Sequence, residues 1–303
     1  HIVRNTYTRF HQHQKYSSDL RSGLQQPFTL HWPRTPILFI TSINMKPIIY
    51  DKYRSTAGFN SRVRFLVMHY TAADFARSVE LLTGPRVSSH YLIPDITDPS
   101  YLKAGYKEQE VFNLVDENAR AWHAGVSQWG SRSSLNDTSL GIEIVNLATD
   151  NNGEFFFPPY HPEQIAAIEA LALNILARYP DISPTNVVGH SDISIGNKSD
   201  PGPEFPWHAL YLKGVGAWFD ESTRDKYLMQ YEASGIPAQC ELLRLFKRYG
   251  YDTSNASNKA GFKALVRAFQ LHFRQDNYDG VMDAQTAANL AALVHKYFPE
   301  SSM

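Results

Sequence analysis

Thr138-Ser139-Leu140-Gly141-Ile142-Glu143-Ile144-Val145-Asn146 is the stretch from which the fold is read. Leu140, Ile142 and Ile144 alternate with Gly141, Glu143 and Val145, the period-2 pattern of a strand whose successive side chains point to opposite faces. Glu143 therefore lies on the face opposite the isoleucines, beside a glycine that leaves room for another group to approach. A carboxylate on the inner face of such a strand is costly unless something compensates it. A general base beside a reactive water is one such reason. A salt-bridged glutamate on a solvated face is another, and the residues alone leave both readings open.

Upstream, Phe65-Leu66-Val67-Met68 is a continuous apolar run, the signature of a strand buried on both faces, and it ends in His69-Tyr70-Thr71. Residues 74–83 have helical spacing, with Asp74 as N-cap and Phe75, Val79 and Leu82 on one side. His90–Ile93 and Val111–Val115 are further strand candidates. Downstream, residues 162–179 read as a helix, with Pro162 in its first turn and Ile165, Ile168, Leu171 and Ile175 along one stripe. Val187-Val188-Gly189 forms the next strand and delivers His190 into a Gly- and Pro-rich loop from Ser191 to Pro206. Short strands alternating with helical periods predict an α/β domain, a mixed central sheet flanked by helices.

The composition shifts near Asp220. Residues 45–220 are assigned to this first domain, and 221–236, of mixed charge and ending in Gly235-Ile236-Pro237, to a linker. Residues 237–303 are expected to form a small three-helix bundle, on the spacing of Leu242, Leu243, Leu245 and Phe246, then Phe262 to Phe273, then Thr286 to Val294. Residues 1–44 carry five basic residues (Arg4, Arg9, Lys15, Arg21 and Arg34) against a single acid, Asp19. They are expected to be an N-terminal extension, disordered or non-native, because Met45 is a plausible native start.

The 303 residues are 43% hydrophobic and carry a net charge of −1, so no broad positive field argues for nucleic acid or an anionic membrane surface. No apolar run reaches the roughly 18 residues of a transmembrane helix. A single cysteine, Cys240, excludes an intramolecular disulfide and a Cys-rich zinc site. Attention therefore falls on the histidines. His69, His190 and Asp200 stand where a sheet would open into a cleft, and two histidines with one carboxylate are a recurring catalytic zinc set that leaves a position for water. Taken singly, a histidine is more often structural than a ligand, Asp200 before Pro201 also fits an Asx turn, and Lys198 also fits a solvated loop.

Six segments in order carry a family resemblance: Met68-His69-Tyr70-Thr71, Ser89-His90-Tyr91-Leu92, Ala121-Trp122-His123-Ala124-Gly125, Asn136 to Glu143, Val188-Gly189-His190-Ser191-Asp192, and Lys198-Ser199-Asp200-Pro201-Gly202-Pro203. Together they resemble the AmpD/AmiD type of N-acetylmuramoyl-L-alanine amidase, a branch of the fold shared with phage T7 lysozyme and the peptidoglycan recognition proteins. The resemblance implies Zn2+ held by His69, His190 and Asp200, Glu143 as catalytic acid/base, and Lys198 stabilising the transition state. Trp122 and His123 are expected to line the cleft, the tryptophan with a structural role as well, and both are candidate substrate contacts, with Asn136 a weaker one. His90 is expected to be a supporting or core residue. The implied reaction is hydrolysis of the amide between N-acetylmuramic acid and L-alanine in peptidoglycan or muropeptides.

Two rivals are a non-catalytic peptidoglycan receptor and a zinc peptidase cutting within the stem peptide. The first would be expected to lack the ligand set, and the second is weakened by the absence of an HExxH motif. Leu245 to Tyr251, Ala268 to Arg274 and Tyr278 to Asp283 also resemble the peptidoglycan-binding bundle of AmiD-like amidases, which implies a module that tethers the enzyme to the wall. Such a bundle implies work on intact wall, hence a periplasmic or exported protein.

Overall fold

In the chain's computed structural model, residues 47–151 and 154–299 are described, so the expectation for residues 1–44 lies outside the described residues. From Phe65 the chain runs through β1 (Phe65–Tyr70), α1 (Phe75–Leu82), β2 (Tyr91–Ile93), α2 (Pro99–Lys103) and β3 (Phe112–Asn113). A two-residue hairpin pair, β4 (Gln128–Trp129) and β5 (Arg132–Ser133), precedes β6 (Ser139–Ile144). A second hairpin, β7 (Thr149–Asn151) and β8 (Glu154–Phe156), leads to α3 (Pro162–Arg178), β9 (Val187–Gly189), α4 (His190–Ile193) and α5 (Trp207–Leu212). Four helices follow: α6 (Glu221–Ser234), α7 (Gln239–Tyr249), α8 (Lys259–Phe273) and α9 (Ala284–Tyr297).

The central sheet has the order β3-β2-β6-β1-β9. β2, β6, β1 and β9 run parallel, and β3 is antiparallel to β2, so the sheet is mixed as expected. The apolar run of β1 is buried throughout, from Phe65 to Met68. The register sets His69 beside Glu143 and Met68 beside Gly189. Because side chains of laterally paired residues share a face, the pairing alone brings a histidine and a carboxylate together at the carboxyl ends of the strands.

The helices start where their caps dictate. The Asp74 carboxylate accepts from Arg77 N–H at 2.8 Å, the N-cap expected for α1. α3 begins with His161 and Gln164 in a reciprocal capping arrangement, has Pro162 in its first turn, and buries Ile168, Ala172 and Ile175. Its far end is fastened by Glu117. That carboxylate accepts from Tyr91 Oη (2.5 Å), Tyr179 Oη (2.7 Å) and both terminal nitrogens of Arg178, which ties β2 to the end of α3. The hydrogen bonds from Arg178, working against burial, hold the Glu117 carboxyl down at about 2.

A carboxyl lowered on folding contributes stability that is complete above its unfolded value and fades as pH falls towards the folded one. Arg178 is 42% exposed, so solvent screening trims the effect. Glu117→Gln is therefore expected to cost about 1–2 kcal/mol at pH 7 in urea unfolding, with the difference vanishing between roughly pH 4.5 and 2. An undiminished difference at pH 2 would contradict this origin.

The three helices expected after residue 237 are present as α7, α8 and α9. The segment 221–236, read as a linker, instead contains α6. Its apolar stripe is short, Tyr227, Leu228 and Tyr231, and it packs on Leu242 and on Ala287, Ala288 and Ala291 of α9. Surrounding charge hides so narrow a stripe from a reading by composition. The described residues from Ala57 onward form one compact unit, and α7, α8 and α9 share the core of the sheet: one cluster of buried side chains extends from Val63 and Leu66 to Phe246, Phe269 and Leu293. Trp129 meets Tyr249 and Tyr251 edge-on at 5.9 and 4.7 Å. Gly250, at φ +138°, is required there, since a Cβ would come within 2.7 Å of the Trp129 ring.

Candidate active site

The cleft opens at the carboxyl ends of β1 and β6, with a volume of about 540 Å³. Its lining includes Trp122, His123, Glu143, His190, Lys198 and Asp200. His69 and Glu143 each lie one residue before the end of their strands, β1 and β6, and His190 opens α4 directly after β9. The loop bearing Asp200 is drawn onto α4 by Ser191 N–H, which donates to Asp200 O at 2.9 Å. Tyr160 Oη fastens the same loop from below by donating to Pro201 O at 2.7 Å.

His69, His190 and Asp200 converge as the sequence predicts. His69 Nδ1 lies 3.1 Å from His190 Nδ1 and 2.9 Å from Asp200 Oδ2, and His190 Nδ1 lies 3.0 Å from the same oxygen. The other ring nitrogens fix the tautomers. His190 Nε2 faces a carbonyl, Ala124 O at 3.2 Å, so it must carry a proton to donate. For His69 the answer comes through a chain of bonds. Ser139 Oγ donates to Leu135 O (2.6 Å), so His123 Nε2 donates to Ser139 Oγ (3.1 Å), which leaves His123 Nδ1 to accept from His69 Nε2–H (2.9 Å).

Both Nδ1 atoms thus present lone pairs to each other and to a carboxylate oxygen, in a setting where all three residues are buried. Three acceptors about 3 Å apart with no proton between them repel unless a cation joins them. Ligand atoms of a tetrahedral zinc, with bonds of about 2.0–2.1 Å, stand roughly 3.3 Å apart, close to the triangle seen here. The donor set therefore fits a metal ion, with the outer hydrogen bonds that orient metal-bound imidazoles already in place.

Electrostatics agree with these assignments. Burial, opposed by the neighbouring Asp200 carboxylate, lowers the His69 imidazole to about 4, so the ring is neutral near pH 7. Burial also drives His123 well below its ordinary value, with the neighbouring histidines adding to the effect. Burial by itself would raise Asp200, but His190 and His69 overcome it and keep the carboxyl low and ionised. Glu143 shows the opposite balance. Burial, followed by the charge of Asp200, pushes it well above the usual carboxylate range, against the pull of Lys198. Its Oε2 is buried with no hydrogen-bond partner, a polar atom aimed into the cleft and left uncompensated by the protein.

The room that Gly141 was expected to provide is taken by His123. A Cβ on Gly141 would meet the His123 ring at 2.5 Å. Ser139, Gly141 and Glu143 share one face of β6 and have three linked tasks: Ser139 orients His123, Gly141 admits it, and Glu143 faces the cleft. His123, expected as a substrate contact, is buried and works through His69. Trp122, expected to have a structural role and to be a candidate substrate contact, is 52% exposed on the cleft rim, in a lining that also includes Leu81 and Val87. Asn136 is buried outside the cleft lining, where its Oδ1 accepts from His123 N–H (3.0 Å) and Ala124 N–H (2.7 Å) and so holds the loop that carries both residues. His90 is a supporting residue as expected, accepting from Gly141 N–H at 3.0 Å. Sequence reasoning missed Tyr70, Ser199 and Asp150, which line the cleft and are linked by Tyr70 Oη to Ser199 Oγ (2.6 Å) and Ser199 Oγ to Asp150 (3.3 Å). Tyr70, adjacent to His69, and Ser199, between Lys198 and Asp200, could have been suspected from position, whereas Asp150 could not.

Parallel strands thus deliver to one cleft a buried His-His-Asp cluster that could hold a metal ion and an unpartnered carboxylate, an arrangement suited to hydrolysis. Residues 59–203 match the family described as N-acetylmuramoyl-L-alanine amidase. The chain is 42% identical over 248 residues to the N-acetylmuramoyl-L-alanine amidase AmiD of Escherichia coli, covering 82% of this chain and 88% of that one. The crystal structure of AmpDh3 from Pseudomonas aeruginosa in complex with anhydromuramic pentapeptide superposes with a TM-score of 0.81 at 57% identity, covering 84% of this chain and 99% of that one. E. coli AmiD in complex with anhydro-N-acetylmuramic acid-L-Ala-D-gamma-Glu-L-Lys superposes with a TM-score of 0.73 at 41% identity, covering 83% and 96%. The chain belongs to the N-acetylmuramoyl-L-alanine amidase family.

Proposed function

We propose that the protein hydrolyses the amide bond between N-acetylmuramic acid and L-alanine in peptidoglycan and anhydromuropeptides, as a zinc enzyme with Glu143 as acid/base. The observation that carries this reading is the triangle of three buried lone-pair donors beside the unpartnered Glu143 carboxylate. His69, His190 and Asp200 would hold the ion. A zinc ion supplies Lewis acidity, lowering the pKa of a water from 15.7 to about 7 and polarising the scissile carbonyl. The ligands bound in these two solved relatives, an anhydromuramic pentapeptide and an anhydro-N-acetylmuramic acid tripeptide, support the same substrate class here.

The remaining work falls to the chain's own side chains. Glu143, with its carboxyl raised by burial, takes the proton from the attacking water and returns it to the departing amine of L-alanine. Lys198, exposed on the cleft wall, places a positive charge beside the oxygen that becomes negative. The open face of Trp122, with Leu81 and Val87, offers an apolar platform at the rim for the ligand's non-reacting part. A periplasmic or exported setting suits a chain whose substrate is wall material. Among the described residues no helix is long and apolar enough to cross a membrane.

Mass spectrometry of an anhydromuramoyl tripeptide incubated with the protein tests the reaction. Free tripeptide beginning at L-alanine is the expected product; fragments cut within the peptide, or binding without cleavage, would replace this reading by the peptidase or the receptor. Lys198→Ala is expected to retain zinc while losing about 10²–10³ in turnover, the cost of removing one donor to a developing oxyanion. Near-normal turnover in that variant would remove Lys198 from the mechanism.

A further inference from the structure

Asp192 is fully buried, two residues beyond His190 in α4, and takes no part in the cleft. Its Oδ2 accepts from Gly189 N–H at 2.7 Å, which closes the turn from β9 into α4 and so sets the direction in which His190 leaves the strand. The other two donors come from the C-terminal helices. Tyr251, just past α7, donates its hydroxyl to Oδ1 at 2.6 Å, and His272 of α8 donates Nδ1–H to Oδ2 at 2.7 Å. The His272 ring is itself stacked on Trp207 at 3.7 Å and on Phe273 at 3.8 Å, so its donor is fixed in direction.

We propose that the C-terminal bundle completes the catalytic apparatus, with Tyr251 and His272 as positioning residues that hold His190 through Asp192. A buried carboxylate stripped of two of its three donors must find others or reach water. Its nearest recourse is to release Gly189 N–H and distort α4. That turn carries His190 directly, and through Ser191 N–H it also carries the Asp200 backbone, so two of the three candidate ligands depend on it. The bundle therefore acts on the site as well as on any wall polymer it binds, and cutting the chain at residue 237 removes both actions together.

The inference rests on the reading of His190 as a metal ligand, and zinc affinity of the full-length chain separates the two. Zinc dissociation constants are measured by competition with a chromogenic chelator for wild type, His272→Phe, His272→Asn and Tyr251→Phe. Phenylalanine keeps the stacked ring without the donor, whereas asparagine restores a donor near the Nδ1 position. Thermal unfolding and near-ultraviolet circular dichroism establish that each variant is folded.

His272→Phe and Tyr251→Phe are expected to bind zinc about 10–100-fold more weakly, the usual effect of losing an outer hydrogen bond to a metal site. Turnover of a soluble anhydromuropeptide at subsaturating zinc should fall in proportion, and His272→Asn should lie within a few-fold of wild type. Folded His272→Phe and Tyr251→Phe with wild-type zinc affinity would overturn the inference and reduce the contact to packing. If His272→Phe does not fold, Tyr251→Phe, which loses one hydroxyl, decides alone. Failure of the wild type to bind zinc would instead defeat the underlying metal reading.

Discussion

Glu143→Gln is expected to fold, to bind zinc as the wild type does, and to turn over substrate about 10²–10⁴-fold more slowly. The amide keeps the shape of the carboxylate but can neither accept a proton from water nor return one to the leaving amine. The same change should raise stability at neutral pH. The wild-type carboxyl is buried with an unpartnered oxygen and is pushed up by burial and by Asp200, so its ionised form is held at a cost that glutamine does not incur. A variant that melts higher and works far less well is the signature of a residue kept for chemistry. If Glu143→Gln retained turnover, or lost it together with its zinc, the acid/base role would be wrong.

Asp200→Asn is expected to lose zinc affinity by more than the roughly 10–100-fold typical of an outer hydrogen-bond partner, because it removes a ligand charge. In metal-free protein the sign should reverse. The wild type faces two imidazole lone pairs and a carboxylate oxygen at 2.9–3.1 Å. An asparagine amide can donate into that triangle and relieve it. Metal-free Asp200→Asn should therefore melt at or above the metal-free wild type, yet gain little when zinc is added. Zinc at about 100 times its dissociation constant stabilises a single-site protein by about 2.7 kcal/mol, enough to read in a thermal scan. Equal zinc-induced shifts in the two proteins would show that Asp200 is not a ligand.

Much of this was legible in the chain because it is written locally. The alternation around Glu143 and the unbroken apolar run ending at His69 are properties of single strands, and buried parallel strands leave little else for such runs to be. Asp74 and Pro162 likewise mark helix starts by their own chemistry. What was not legible depends on partners far along the chain. His123 looks like a substrate contact beside Trp122 until Gly141 and Ser139, sixteen or more residues away, are seen to seat its ring against His69. Asn136 carries no sign that its acceptor is used by the Trp122-His123-Ala124 loop. The helix Glu221–Ser234 is concealed by a stripe of three apolar residues, whose burial needs the alanine face of α9. The joint core of sheet and bundle, with Asp192 at the join, is a tertiary fact that no window of sequence contains.

The central claim is that a zinc ion on His69, His190 and Asp200 makes this chain an amidase. The most direct test strips the full-length protein of metal with a chelator, verifies removal by elemental analysis, and follows release of L-alanine-terminated peptide from an anhydromuropeptide as zinc is added back. Release should be abolished in the stripped protein and restored in full at one zinc per chain. Undiminished release from protein shown to hold no metal would contradict it.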